Sequence, residues 1–100
     1  MEKLKNIHPG EILKEEFLEP MGVSAYRLAK DTGIPQTRIS EITRGRRRVT
    51  ADTALRLGKY FDVSPRFWLG LQDDYDIEEE RKAIEPALNS IPTVIPQNDR

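Results

Sequence analysis

The stretch Ser24-Ala25-Tyr26-Arg27-Leu28-Ala29-Lys30-Asp31-Thr32-Gly33-Ile34-Pro35-Gln36-Thr37-Arg38-Ile39-Ser40-Glu41-Ile42-Thr43-Arg44-Gly45-Arg46-Arg47-Arg48 decides the fold. Ser24 is a preferred N-cap residue, and Leu28 with Ala29 supplies the inner side of a short helix that runs out at Thr32. Gly33 makes the corner, because glycine tolerates the left-handed backbone of a tight interhelical turn. Ala29, four residues earlier, is small enough for a second helix to cross closely. Pro35 restarts the chain as a helix, since its fixed φ suits a first turn and its missing N–H costs nothing there. The pattern predicts a helix-turn-helix over residues 25–44.

At about 100° per residue, Ile39 and Ile42 of the second helix fall on one side. Thr37, Ser40, Glu41 and Arg44 fall on the opposite side, with Gln36 and Arg38 on the flanks. Gln and Arg carry the paired donors and acceptors that match the major-groove edges of adenine and guanine, and the first turn is where a recognition helix meets bases. Arg44, Arg46, Arg47 and Arg48 lie at and beyond the helix end, placed for phosphate oxygens. Many surface helices carry Arg, Ser and Thr toward solvent. The spacing of Ala29, Gly33, Ile39 and Ile42 favours a DNA-reading helix over that simpler account.

One hundred residues allow one small domain. The chain has no cysteine and a single histidine, His8, so it offers no disulfide framework and no thiolate or histidine metal cluster. No metal, cofactor or small-molecule substrate is expected. No apolar run approaches the roughly 18 residues of a membrane span, and Met1-Glu2-Lys3-Leu4-Lys5-Asn6 has no leader-like apolar stretch behind its charges. These features predict a cytoplasmic protein without membrane contact. The formal net charge of -1 hides a strong segregation. Residues 35–50 hold five Arg against Glu41 alone, whereas residues 73–85 hold seven acids against Arg81 and Lys82. Local potential, not net charge, governs attraction to a polyanion at a Debye length of about 8 Å.

Outside the central motif, Pro9 to Glu19 reads as an opening helix with Ile12, Leu13 and Phe17 inward and Pro20 ending it. Thr50 caps a fourth helix in which Ala54, Leu57 and Phe61 recur on one stripe. Asp62-Val63-Ser64-Pro65 breaks it, and Ser64 with Pro65 starts a fifth helix through Phe67, Trp68, Leu69 and Leu71. Trp68 reads as a core residue. The result is an all-α, five-helix domain over residues 8–72, an acidic helical extension over 73–85, and a loosely held proline-containing tail over 86–100. Within the tail, Thr93-Val94-Ile95 has the composition of a short strand, but a loose tail is the favoured reading.

These residues resemble the Cro and phage-repressor class of helix-turn-helix proteins over about residues 8–72. Within that class, His8-Pro9-Gly10-Glu11-Ile12-Leu13, Leu28-Ala29, Ile39-Ser40, Arg44-Gly45 and Val63-Ser64-Pro65-Arg66-Phe67-Trp68-Leu69-Gly70-Leu71-Gln72 look like the HigA, or VapI-like, antitoxins. The resemblance implies a dimeric antitoxin that binds operator double-stranded DNA, represses its own operon and neutralises a HigB-type mRNA-cleaving toxin. By family position Gln36, Thr37 and Arg38 read bases, Ser40 and Glu41 lie on the exposed face, and Arg44 reaches the backbone. Thr32 departs from the pattern, standing where an apolar residue is usual, and its hydroxyl is expected to bond back into the preceding turn.

A stand-alone helix-turn-helix repressor without a toxin is the alternative function. A metal-dependent nuclease built on the acidic run is disfavoured, because the consecutive Glu78-Glu79-Glu80 radiate around a helix instead of converging on an ion. His8 lacks an evident nucleophile and reads as a capping or packing residue, so no catalytic residue is assigned and the protein is not expected to be an enzyme. A single recognition helix reads too few base pairs to select a site, which predicts a symmetric homodimer, with Tyr75 and Ile77 as interface residues and the first helix as the alternative. The acidic segment, Asp73, Asp74, Asp76, Glu78, Glu79 and Glu80, is expected to face a basic toxin. Glu11, Glu15, Glu16 and Glu19 on the first helix are the competing surface.

Overall fold

The computed structural model describes residues 5–96; the leader reading at residues 1–4 and the last four residues of the tail lie outside them. The first helix, α1, is one uninterrupted run made of Pro9–Ile12, Leu13–Leu18 and Glu19–Met21, with the middle piece wound as a π-helix. His8 caps it: its Nδ1 accepts the Gly10 N–H at 2.8 Å. Pro20 does not end this helix, contrary to the sequence expectation. In α-helical winding its ring would crowd the carbonyl four residues back, and its missing N–H would leave that carbonyl without a partner. The chain instead winds wider over Leu13–Leu18, with Glu19 N–H donating to the Lys14 carbonyl five residues earlier, which takes the proline out of α-helical register. The same winding brings residues five apart into line, so Leu18 joins Leu13 in the core while Ile12 and Phe17 are only half-buried. Gly22, at φ 64, closes the helix.

The remaining helices are α2 (Ala25–Thr32), α3 (Gln36–Thr43), α4 (Ala51–Phe61) and α5 (Pro65–Asn89). Ser24 caps α2 by accepting the Arg27 N–H at 3.0 Å, and Ser64 caps α5 by accepting the Arg66 N–H at 3.1 Å. Thr50 precedes α4 without such a side-chain bond, and Pro35 is the residue before α3, not its first. Among the described residues there is no strand. The architecture is all-α, as the residues predicted.

A single core joins the five helices. Leu13 and Leu18 of α1, Leu28 of α2, Ile39 and Ile42 of α3, Ala54 and Leu57 of α4 and Trp68 of α5 are buried, together with Ile34 and Val49 from the connecting turns. Trp68 is fully buried and its ring lies 5.0 Å from Phe17 and 5.1 Å from Phe67. Gly10 allows the closest approach: a Cβ there would stand 1.7 Å from the Ile42 carbonyl oxygen, so α1 rests directly on the end of α3. Past Gln72, which is still buried, α5 leaves the core. It continues through Pro86 to Asn89, where the sequence had placed the start of the tail, and Ile84 leaves helical dihedrals (φ -118, ψ 19) to absorb the proline. Residues 92–96, including Thr93-Val94-Ile95, are exposed and form no strand.

Candidate nucleic-acid interface

The turn between α2 and α3 is built from side chain and backbone together. Gly33 sits at φ 79, with its N–H on the Ala29 carbonyl at 2.9 Å. The Thr32 hydroxyl donates to the Leu28 carbonyl at 2.6 Å and accepts the Ile34 N–H at 3.2 Å. A threonine thus replaces the usual apolar residue without leaving its hydroxyl unpaired. Ile34 plugs the corner, and Ile39 and Ile42, each 1% exposed, fix the rotation of α3. That rotation leaves Gln36 and Thr37 exposed and Arg38, Ser40 and Glu41 half-buried.

Most of the arginines assigned to DNA already hold a carboxylate. Arg38 donates to Asp52 at 2.9 Å, Arg47 to Glu41 at 2.6 Å, and Arg48 to Asp76 at 2.6 Å. The Arg47 and Arg48 pairs are exposed on both sides, each worth little in water and open to exchange for a phosphate, whereas the Arg38 side chain is half-buried. Arg44 and Arg46 make no ion pair among the described residues; they lie on the turn in which Gly45, at φ 75, ends α3. Arg38, Arg47, Arg48 and Arg56 line one cleft of about 340 Å³ beside the start of α4.

Asp52 and Arg56 were not singled out from sequence, and Gln72 entered only as the last residue of the Val63–Gln72 motif, with no role assigned. Asp52 and Arg56 are four apart on α4, a pairing the sequence could have shown. Arg38 and then Arg56, both donating to Asp52, hold its carboxyl below the ordinary carboxylate range. Gln72, 1% exposed, accepts the Val49 N–H at 2.6 Å and donates to Asp76 at 2.9 Å. The arginine-rich turn is thereby tied to α5. Arg48, with help from Gln72, holds the Asp76 carboxyl below its usual range, and no local pattern announces this link.

The residues assigned to partners divide. The Tyr75 ring stacks edge-on against His8 at 4.9 Å and its carbonyl accepts from Asn6, so it is engaged within the chain. Ile77 is 55% exposed, followed on α5 by the exposed Ile84 and Leu88. Of the acids, Asp76 is occupied by Arg48 and Gln72, and Glu79 by Asn6 and Lys82. Asp73, Asp74 and Glu80 are exposed and Glu78 is half-buried. On α1, Glu11 pairs with Lys5 and Glu19 with Lys14, while Glu15 and Glu16 are exposed. Burial is the main influence on His8 and pushes its pKa down, opposed by Asp76. Among the described residues no three potential ligands converge on a metal position, and no helix is long and apolar enough to cross a membrane.

The helix-turn-helix family profile matches residues 14–68. Virulence-associated protein I of Dichelobacter nodosus is 50% identical over 90 residues, covering 90% of this chain and 80% of that protein. An addiction module antidote protein of the HigA family from Coxiella burnetii superposes with a TM-score of 0.84 at 46% identity, over 92% of this chain and all of that one. Antitoxin HigA of Pseudomonas aeruginosa, solved with the higBA promoter, superposes with a TM-score of 0.86 at 36% identity, over 91% of this chain and all of that one. The likeness covers about nine-tenths of the chain, far more than the two helices of the motif, and so the chain belongs to the HigA-type antitoxins of the Cro and phage-repressor helix-turn-helix class.

Proposed function

We propose that this chain is the antitoxin of a type II toxin–antitoxin pair, acting in the cytoplasm as a non-enzymatic homodimer that represses its own operon and neutralises a HigB-type toxin. One observation carries the DNA-binding half: the first turn of α3 presents Gln36 and Thr37 to solvent beside an arginine-lined cleft. The likeness to an antitoxin solved with its promoter supports the same reading. In it residues 8–72 form the DNA-binding unit. Gln36, Thr37 and Arg38 read bases, Ser40 and Glu41 flank them, and Arg44, Arg46, Arg47 and Arg48 grip phosphates, the last two by exchanging carboxylate partners. Two copies meet through the exposed side of α5 at Ile77, which sets two α3 helices roughly 34 Å or a small multiple apart on a palindrome. Tyr75, engaged with His8, plays at most a supporting part. The acids left exposed on α5, Asp73, Asp74 and Glu80 with Glu78, face a basic toxin on the side chosen by charge complementarity.

Arg38→Ala and Arg47→Ala separate the two kinds of DNA contact. The first relaxes preference at one or two base pairs by about 1–3 kcal/mol each; the second weakens binding to every sequence and lowers the salt slope by about one unit. Equal losses on specific and random duplexes for Arg38→Ala refute base reading by that residue. Co-purification with the product of a neighbouring basic reading frame tests the antitoxin half. A chain that reads DNA but forms no complex with that product is a stand-alone repressor.

A further inference from the structure

Arg38 is held in place before any DNA arrives. Its Nη1 donates to Asp52 Oδ2 at 2.9 Å and lies 3.4 Å from the hydroxyl of the buried Thr53. Asp52 is gripped from its other side, with Arg56 Nε 3.2 Å from both carboxylate oxygens. Arg56 in turn donates from Nη1 to the Thr32 carbonyl at 2.8 Å. The contacts form a chain from the last turn of α2, through α4, to the first turn of α3. Its middle is a carboxylate in the first turn of α4, where the helix dipole favours negative charge.

Asp52 is also the one carboxylate, among the described residues, that lines the cleft shared by Arg38, Arg47, Arg48 and Arg56. A negative charge there opposes the attraction of the cleft for a phosphate backbone. Its benefit is geometric: a planar guanidinium gains from bidentate recognition only when its plane and direction are set, and Asp52 restricts both. We propose that Asp52 is a specificity-determining positioning residue, which aims the Arg38 guanidinium for base reading and lowers general affinity for DNA in doing so. This rests on the reading of α3 as the base-contacting helix.

The proposal requires two opposite effects from one substitution. A carboxylate that merely competed with DNA for Arg38 would, when removed, raise affinity for all sequences and leave discrimination unchanged. One that merely supported the fold would lower both affinities together with the melting temperature.

The test uses full-length Asp52→Asn, which keeps the side-chain volume, and Asp52→Ala. Binding is measured by anisotropy on a duplex of about 20 bp selected from a random pool by the wild type, and on a scrambled duplex of equal composition. The expected result is about threefold tighter binding to the scrambled duplex and a fall of about tenfold in the selected-to-scrambled ratio. In an Arg38→Ala background, Asp52→Asn should shift both duplexes by the same factor, because the residue it acts through is gone. An unchanged or increased ratio overturns the inference, as does an equal fall in ratio without Arg38. A wild type that selects no sequence refutes base reading by α3 and the inference with it, a result distinct from an unchanged ratio.

Discussion

Gly10→Ala should be among the most damaging single-methyl changes in this chain, and the structure supplies its size. The added Cβ would stand 1.7 Å from the Ile42 carbonyl oxygen and 2.5 Å from the carbonyl carbon, against a floor of 3.0 Å. The contact must open by about 1.3 Å, and the obstacle is backbone at the end of α3, so no side-chain rotation relieves it. Overpacking of this kind costs about 1–3 kcal/mol, and an unyielding neighbour places it at the upper end. Ala is the better helix former by up to about 1 kcal/mol, which offsets part of the loss. The net is about 2 kcal/mol, or a melting temperature about 8–16 °C lower for a domain of this size. Gly70→Ala is the internal control, since Gly70 is also helical and a Cβ there meets nothing within 4 Å. It should raise the melting temperature by about 4–8 °C if the full propensity gain is realised. Both are read by circular dichroism melts of the two variants and the wild type. A Gly10→Ala protein that melts at or above the wild type would show that α1 does not rest on α3 as described.

Two further outcomes follow from the buried polar groups. His8 titrates from a folded-state pKa below its ordinary value, so the neutral form is the one the fold prefers; its contribution to stability is intact above pH 6.5 and declines as pH falls below 6.5 toward the lowered pKa. Urea titrations at pH 7.5 and 5 should therefore show the wild type losing stability relative to His8→Asn, which keeps a capping acceptor and does not titrate; a constant difference refutes the assignment. Gln72→Leu strands the buried Val49 N–H and releases Asp76, and should cost about 1–3 kcal/mol in the same urea assay, with a cost under half a kcal/mol counting against the link.

The sequence by itself determined the corner between α2 and α3 and the inner face of α3. Ser24, Gly33, Ile39 and Ile42 act within a few residues of themselves, through capping, positive φ and helical period, and such local preferences survive into the fold because nothing distant opposes them. The same holds for the Thr32 hydroxyl, whose partner is one turn away. The passage of α1 through Pro20 was not legible, because a proline reads as a break until the core is known to demand Leu13 and Leu18 on one side. The persistence of α5 beyond Pro86 was hidden for a similar reason, a kink at Ile84 taking the strain that would otherwise end the helix. What the arginines do was decided by tertiary structure alone. Arg38 and Asp52 lie fourteen residues apart, and Arg48 and Asp76 twenty-eight, and the sequence reading assigned both arginines to DNA and Asp76 to a partner protein. Folding brought the start of α4 to Arg38 and α5 to Arg48 in the turn after α3, and no sequence period encodes contacts between elements so far apart in the chain.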